Sequence, residues 1–308
     1  MTLPVTRIKK GDLSEYLKST RKVSRVSAEV EKYLAARPAD LSRRQDVLHP
    51  SEVTKSDACI REAWWRIKRA REGILPPEDR PGLRLQTIFD VGHAAHARWQ
   101  RYLGLTGVMY GYWKCPGCGN VVGPRTYPGD GSCDQCERPG EQVYEEIAMD
   151  WGLFSGHTDG WMIWPDKDQL LEVKTIGPGT IRSLDLPLFL DNDGDAEKAF
   201  NAIRRPLKDH RRQATVYLRL LHLMWEEGRL ERKPPEEINF LYELKSNGAV
   251  KELIMGYQPE LVDDVFWFEE DLEGFLKDDE EPACDHPSKA YGGSACKKCH
   301  KYDETELE

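Results

Sequence analysis

The chain has 308 residues, 39% hydrophobic and 31% charged, with a formal net charge of −9. That length suits one large domain, or one domain with an insertion, and the composition is that of a soluble globular protein. No run approaches the ~18 apolar residues of a membrane span, so no membrane partner is expected. The opening "MTLPVTRIKKGDLSEYLK" lacks the apolar core of a signal peptide, which makes the cytoplasm of a bacterial or phage-infected cell the expected location. The acidic excess argues against a broadly basic nucleic-acid coat. Much of it is segregated into "FEEDLEGFLKDDEEP" and "YDETELE", which leaves room for a local basic groove built from "RIKRAR" and "HRR".

Residues 11–36 read as one or two amphipathic helices within an N-terminal extension over 1–48. A helical segment follows within "HPSEVTKSDACIREAWWRIKRAREG", with Ser56 as its expected N-cap and Gly73 as its stop. "LQTIFDVGHAAHARWQRYLG" predicts another helix, ending at Gly104. Over 111–140, glycine, proline and paired cysteines replace periodic apolar residues. Strands resume with "QVYEEIAMDW", "LFSGHTDGWMIW" and "LLEVKTI", and a Gly/Pro/Asp-rich connection spans 177–196. A long helix over "KDHRRQATVYLRLLHLMWEEGR" leads to a hairpin turning at Asn247-Gly248, then to a helix within 258–278 and a cysteine-rich tail. This order of elements indicates an α/β or α+β fold, and α/β is the expectation carried forward.

"LLEVKTI" has the character of a buried strand, yet Glu172 and Lys174 lie two residues apart and so share a face. Buried charges of this kind need a partner. If Trp164 pairs with Gln169 across the turn "PDKD", Asp159 falls opposite Lys174 and diagonal to Glu172, and the three groups converge. A buried ion pair is the simpler account of any such trio. Two carboxylates beside a lysine would also suit a Mg²⁺ or Mn²⁺ ion that activates water against a phosphoryl group. His93, His96 and Gln100 share one face of their helix, and His210, Gln213 and Tyr217 share one face of theirs.

"GHTD" followed by "EVK" resembles the G-x-x-D…E-x-K core of the PD-(D/E)xK nuclease superfamily. "GHAAH" is similar to the G-x-x-x-H element, and "QATVY" to the Q-x-x-x-Y element, of its RecB-like exonuclease branch, which includes the AddB nuclease domain and CRISPR-associated exonucleases. The resemblance covers roughly 50–300 apart from the insert. It implies a restriction-endonuclease-like core, a central mixed sheet flanked by helices, over 49–110 and 141–308. It also implies a metal held by His96, Asp159 and Glu172, with Lys174, Gln213 and Tyr217 as further catalytic residues.

"CPGC" and "CDQC" place Cys115, Cys118, Cys133 and Cys136 in a C-x₂-C…C-x₂-C pattern that suits a structural Zn²⁺ in a small ribbon insert. Cys59, in "CIREAWW", together with Cys284, Cys296 and Cys299, resembles the branch of the family that carries a [4Fe–4S] cluster. The tail spacing C-x₁₁-C-x₂-C departs from the usual family pattern, and His286 and His300 stand near enough to serve a second zinc site instead.

The activity implied is a metal-dependent DNA exonuclease acting on single strands or DNA ends in recombination, repair or phage DNA metabolism. Arg61, Arg211 and Arg212 would lie along the bound DNA. A CRISPR spacer-processing nuclease shares the same chemistry, and a non-catalytic DNA-binding adaptor is the contrasting class. The sequence holds no G-x-x-x-x-G-K-[ST] motif, so any unwinding would fall to a helicase, recombinase or similar partner.

Overall fold

The structure is a computed structural model that describes residues 25–37, 43–74, 81–127, 133–137, 140–284, 296 and 298–299. The chain divides into two compact units, Met1–Arg43 with Pro77–Asp90, and Arg44–Pro76 with Val91–Glu308. In the first, α1 (Arg25–Ala36) buries none of its residues. The rest of the extension's expected helical segment lies outside the described residues.

The larger unit opens with the single turn α2 (Pro50–Val53) and then α3 (Ile60–Arg71). The N-cap of α3 is Cys59, not Ser56, and makes no side-chain cap bond. Gly73 takes φ +78° just past the helix, the left-handed stop that glycine accepts without steric cost. The long helix α4 spans Leu83–Leu105. Strands β1 (Met109–Lys114), β2 (Val121–Thr126), β3 (Val143–Glu145), β4 (Ala148–Trp151), β5 (Phe154–His157), β6 (Gly160–Ile163) and β7 (Asp168–Ile176) follow. The stretch expected to be an irregular connection after β7 is instead three short helices, α5 (Pro178–Leu184), α6 (Leu186–Asp191) and α7 (Ala196–Ala202). Asp185 and Asp195 cap the last two by accepting backbone N–H bonds. The long α8 (Lys208–Glu226), the hairpin β8 (Glu237–Leu244) and β9 (Val250–Gly256), and α9 (Asp263–Asp278) complete the described order.

The result is an α/β fold around a mixed seven-stranded sheet, ordered β2-β1-β6-β7-β8-β9 with β3 also on β1. Among the described strands, β7 and β8 are the parallel pair, joined by the crossover through α5–α8. Alternation along β7 sends Leu170 and Ile176 into the larger core, with Phe240, Tyr242 and the buried face of α8. Leu171 and Val173 join the other core, with Met109, Trp113 and, from α4, Trp99 and Leu103. The sheet is therefore covered by helices on both faces. Among the described residues, no helix is long and apolar enough to cross a membrane.

The β6–β7 hairpin turns more tightly than its sequence suggested. Trp164 donates its N–H to the Lys167 carbonyl, and the ladder pairs Ile163 with Asp168 and Gly160 with Leu171. Trp164 therefore does not pair with Gln169. The expected register is off by two residues because the turn proper is Pro165-Asp166. A two-residue shift leaves every side chain on its face, so the convergence survives with Asp159 brought to Glu172 rather than to Lys174.

Candidate active site and metal centres

Asp159 sits at the mouth of β6 and is held from several sides. Its Oδ2 accepts the Val173 N–H at 2.7 Å, its Oδ1 lies 3.1 Å from His96 Nδ1, and its carbonyl accepts from Gln100 at 2.9 Å. His96 and Gln100 come from one face of α4, one turn apart. Burial works against a charged His96, but the bond and charge of Asp159 outweigh it and raise its pKa.

A second carboxylate joins them. Glu146, just beyond β3, accepts from Gln100 Nε2 at 2.9 Å, and one ligand atom each of His96, Glu146 and Asp159 lie within 4.8 Å of one another. Burial and the neighbouring Asp159 charge push the Glu146 pKa up. Sequence reasoning missed this residue. Its signal was available, since Glu146 follows the buried Tyr144 by two positions in "VYEEI" and so points to the same, inward side.

Glu172 is 1% exposed at its side chain, and the Lys174 ammonium stands 2.6 Å from its Oε1. Apart from that ammonium, neither Glu172 oxygen has a hydrogen-bond partner among the described residues. Burial pushes the Glu172 pKa up to about 7. Burial also acts to strip the Lys174 proton, but the Glu172 and Asp159 charges outweigh it and keep the ammonium. Glu172 is outside the compact His96–Glu146–Asp159 group.

From α8, Gln213 donates to the Tyr217 hydroxyl at 2.7 Å. Burial raises the Tyr217 pKa, and the charges of Glu172, Asp159 and Glu146 add to the shift, which places this hydroxyl beside the acidic set. His93 is exposed on α4. Of the expected DNA-facing arginines, Arg212 is occupied by the Thr54 and Leu261 carbonyls and by Asp264, and Arg61 by Glu281. The Nε of Arg211 is buried without a hydrogen bond, and the nearby Arg204, Arg205 and Lys208 are exposed.

The residues suit a hard divalent cation: one imidazole and two carboxylates converge, next to the buried Glu172–Lys174 pair. The imidazole favours Mn²⁺ over a purely oxygen-seeking ion.

Two cysteine tetrads could hold a metal such as zinc or an iron–sulfur cluster. In the first, Cys115 and Cys136 lie 3.7 Å apart at sulfur, as do Cys118 and Cys133. Zinc–sulfur bonds of ~2.3 Å at tetrahedral angles set sulfurs about 3.8 Å apart, so this tetrad has the dimensions of a single ion. Backbone N–H groups of Gln135 and Cys136 pull the Cys133 thiol down to about 6, favouring the ligating thiolate. The tetrad is rooted in the sheet: Trp113 of β1 is 1% exposed, and β1 pairs with β2, β3 and β6.

In the second tetrad Cys59, Cys296 and Cys299 are buried and Cys284 is half-buried. Cys59 and Cys284 lie 4.0 Å apart at sulfur. Four thiolates match either tetrahedral zinc or a four-iron cluster. His286 and His300 lie outside the described residues.

No family model and no curated protein matches the chain. Among solved structures, the crystal structure of SSO0001 is similar over 85% of this chain and 86% of that one, at 12% identity and a TM-score of 0.32.

Proposed function

We propose that the protein is a divalent-metal-dependent DNA exonuclease with a restriction-endonuclease-like core, of the RecB-like branch of the PD-(D/E)xK nucleases, acting on single strands or DNA ends. The observation that carries this reading is the convergence of His96, Glu146 and Asp159 beside the buried Glu172–Lys174 pair. A bound Mg²⁺ or Mn²⁺ would polarise a phosphoryl oxygen and make a water acidic enough to attack phosphorus. His96, Asp159 and Glu146, with Glu172 behind them, would hold the cation, and Gln100 keeps Glu146 and Asp159 aligned. Lys174, kept charged by the carboxylates, orients the attacking water or offsets negative charge gathering on the phosphoryl oxygens. Gln213 positions the Tyr217 hydroxyl, which can meet a phosphate or a base. The exposed Arg204, Arg205 and Lys208 offer salt-sensitive contacts to the DNA backbone.

The tetrad at Cys115–Cys136 reads as structural zinc. The resemblance favours an iron–sulfur cluster at Cys59, Cys284, Cys296 and Cys299, whereas the 4.0 Å sulfur spacing favours a single zinc. Visible absorbance and stoichiometric iron in anaerobically purified protein decide for the cluster; stoichiometric zinc without iron decides against it.

The test of activity is digestion of DNA labelled at either end, with Mg²⁺, Mn²⁺ or EDTA, beside Lys174→Ala. Metal-dependent shortening that the variant loses supports the reading, and the two labels report polarity. DNA binding without cleavage in any divalent metal overturns it in favour of a non-catalytic adaptor.

A further inference from the structure

His210 is a titratable group beside the site that the proposed chemistry does not use. It opens the face of α8 that continues, three and seven residues later, with Gln213 and Tyr217. Its Nδ1 lies 2.7 Å from the hydroxyl of Tyr242 on β8. Tyr242 is the register partner of Lys174 across the parallel β7–β8 ladder, so the two side chains leave the sheet on the same face. The Lys174 charge adds to burial in pushing the His210 pKa down to about 3.

The hydrogen-bond directions follow from donor and acceptor capacity. The Tyr242 hydroxyl is buried and accepts the Leu207 N–H at 2.9 Å. Its own proton needs an acceptor, since a buried hydroxyl left unpaired is costly. Among the described residues, the acceptor within reach is His210 Nδ1. With Nδ1 accepting, the neutral ring carries its proton on Nε2. The chain Leu207 N–H to Tyr242 O–H to Nδ1 therefore holds one tautomer, whose free edge is a donor.

We propose that His210 is a further substrate-binding residue of this site, a neutral imidazole locked by Tyr242 as the Nε2–H tautomer, which donates to a non-bridging oxygen of the DNA phosphate beside Lys174. The inference rests on the nuclease reading. It adds a donor that stays uncharged next to an ammonium, so it can bind the phosphate without repelling Lys174.

The test compares the intact protein with Lys174→Ala, His210→Ala, His210→Gln and Tyr242→Phe. Nitrogen-15 NMR of the imidazole is expected to show an unprotonated Nδ1 and a protonated Nε2 between about pH 5 and 8. A protonated Nδ1 overturns the proposal. Binding of a thymidine oligonucleotide is then measured with Ca²⁺ replacing Mg²⁺. His210→Ala should weaken binding at least about tenfold, the scale of a lost bond to a charged group. His210→Gln, which keeps an N–H donor, should recover part of the loss, and far-ultraviolet circular dichroism should be unchanged. If the intact protein cleaves and Lys174→Ala does not, while His210→Ala binds as the intact protein does, His210 is excluded and the nuclease reading stands. If the intact protein neither binds nor cleaves DNA, the nuclease reading falls and this proposal falls with it.

Discussion

Lys174 and Glu172 carry opposite charges in a place where neither is well solvated, and their value to each other differs from their value to a substrate. A buried pair contributes little net stability, because desolvation offsets much of the attraction, while removal of one partner strands the other. Glu172 has a way out, since its raised pKa lets it take a proton when the lysine is gone. Lys174→Ala is therefore expected to keep the native circular dichroism spectrum while lowering cleavage by at least about 10²-fold, the scale of a lost charge-stabilising group. His210 makes a separate prediction about stability. Its folded pKa, about 3, lies below the usual 6.5, so the folded state resists a proton that the unfolded chain accepts. Above about pH 6.5 both states are neutral and this group adds no pH dependence; as pH falls from there towards 3, stability is lost. His210→Gln should show a shallower loss of thermal stability over that acid range, as differential scanning calorimetry at stepped pH would record.

At the level of elements, β1 connects parts of the candidate site that are distant in sequence. One edge pairs with β6, at whose mouth Asp159 lies, and with β3, which ends at the residue before Glu146. Trp113 of β1 also fills the space beside Gly104 of α4, the helix that carries His96 and Gln100; a Cβ on Gly104 would come within 2.8 Å of the indole. Gly104→Ala should therefore cost about 1–3 kcal/mol, seen as a lower Tm. The cysteine tetrad begins at Cys115, the residue after β1 ends. Loosening it in Cys118→Ser should lower the Tm, since a metal held by the tetrad would be coupled to folding of the strands it adjoins, as scanning calorimetry would record. The sequence showed the four cysteines but not the strand partners of β1. The same limit explains the register. Alternation placed Asp159, Glu172 and Lys174 on one face, but "PDKD" did not disclose whether two or four residues formed the turn. Glu146 was passed over because its partner, Gln100, is 46 residues away. The helices after β7 were hidden by their Gly/Pro content and are betrayed only by Asp185 and Asp195, each a side chain suited to capping.

For the whole molecule, charge is the main external variable. A chain of net charge −9 can bind DNA only through a local basic strip, and Arg204, Arg205 and Lys208 are exposed before and at the start of α8. Arg205→Ala should weaken DNA binding evenly across sequences and reduce the slope of log affinity against log salt by about one, measured by fluorescence anisotropy over a salt series. Arg212→Ala should instead lower thermal stability, because that guanidinium bridges Thr54, Leu261 and Asp264.

The pairing of Cys59 with Cys284 spans 225 residues. Its consequence is one of timing during synthesis. Cys59 leaves the ribosome when most of the sheet has yet to be made, and its fellow ligands Cys296 and Cys299 come later still. Until then the nascent chain presents a lone thiol at the start of α3, open to oxidation or to capture by the wrong metal. Whatever ion or cluster this tetrad takes would be fully ligated only after Cys299 has been made, so metal delivery would act as an inspection of a sheet already synthesised.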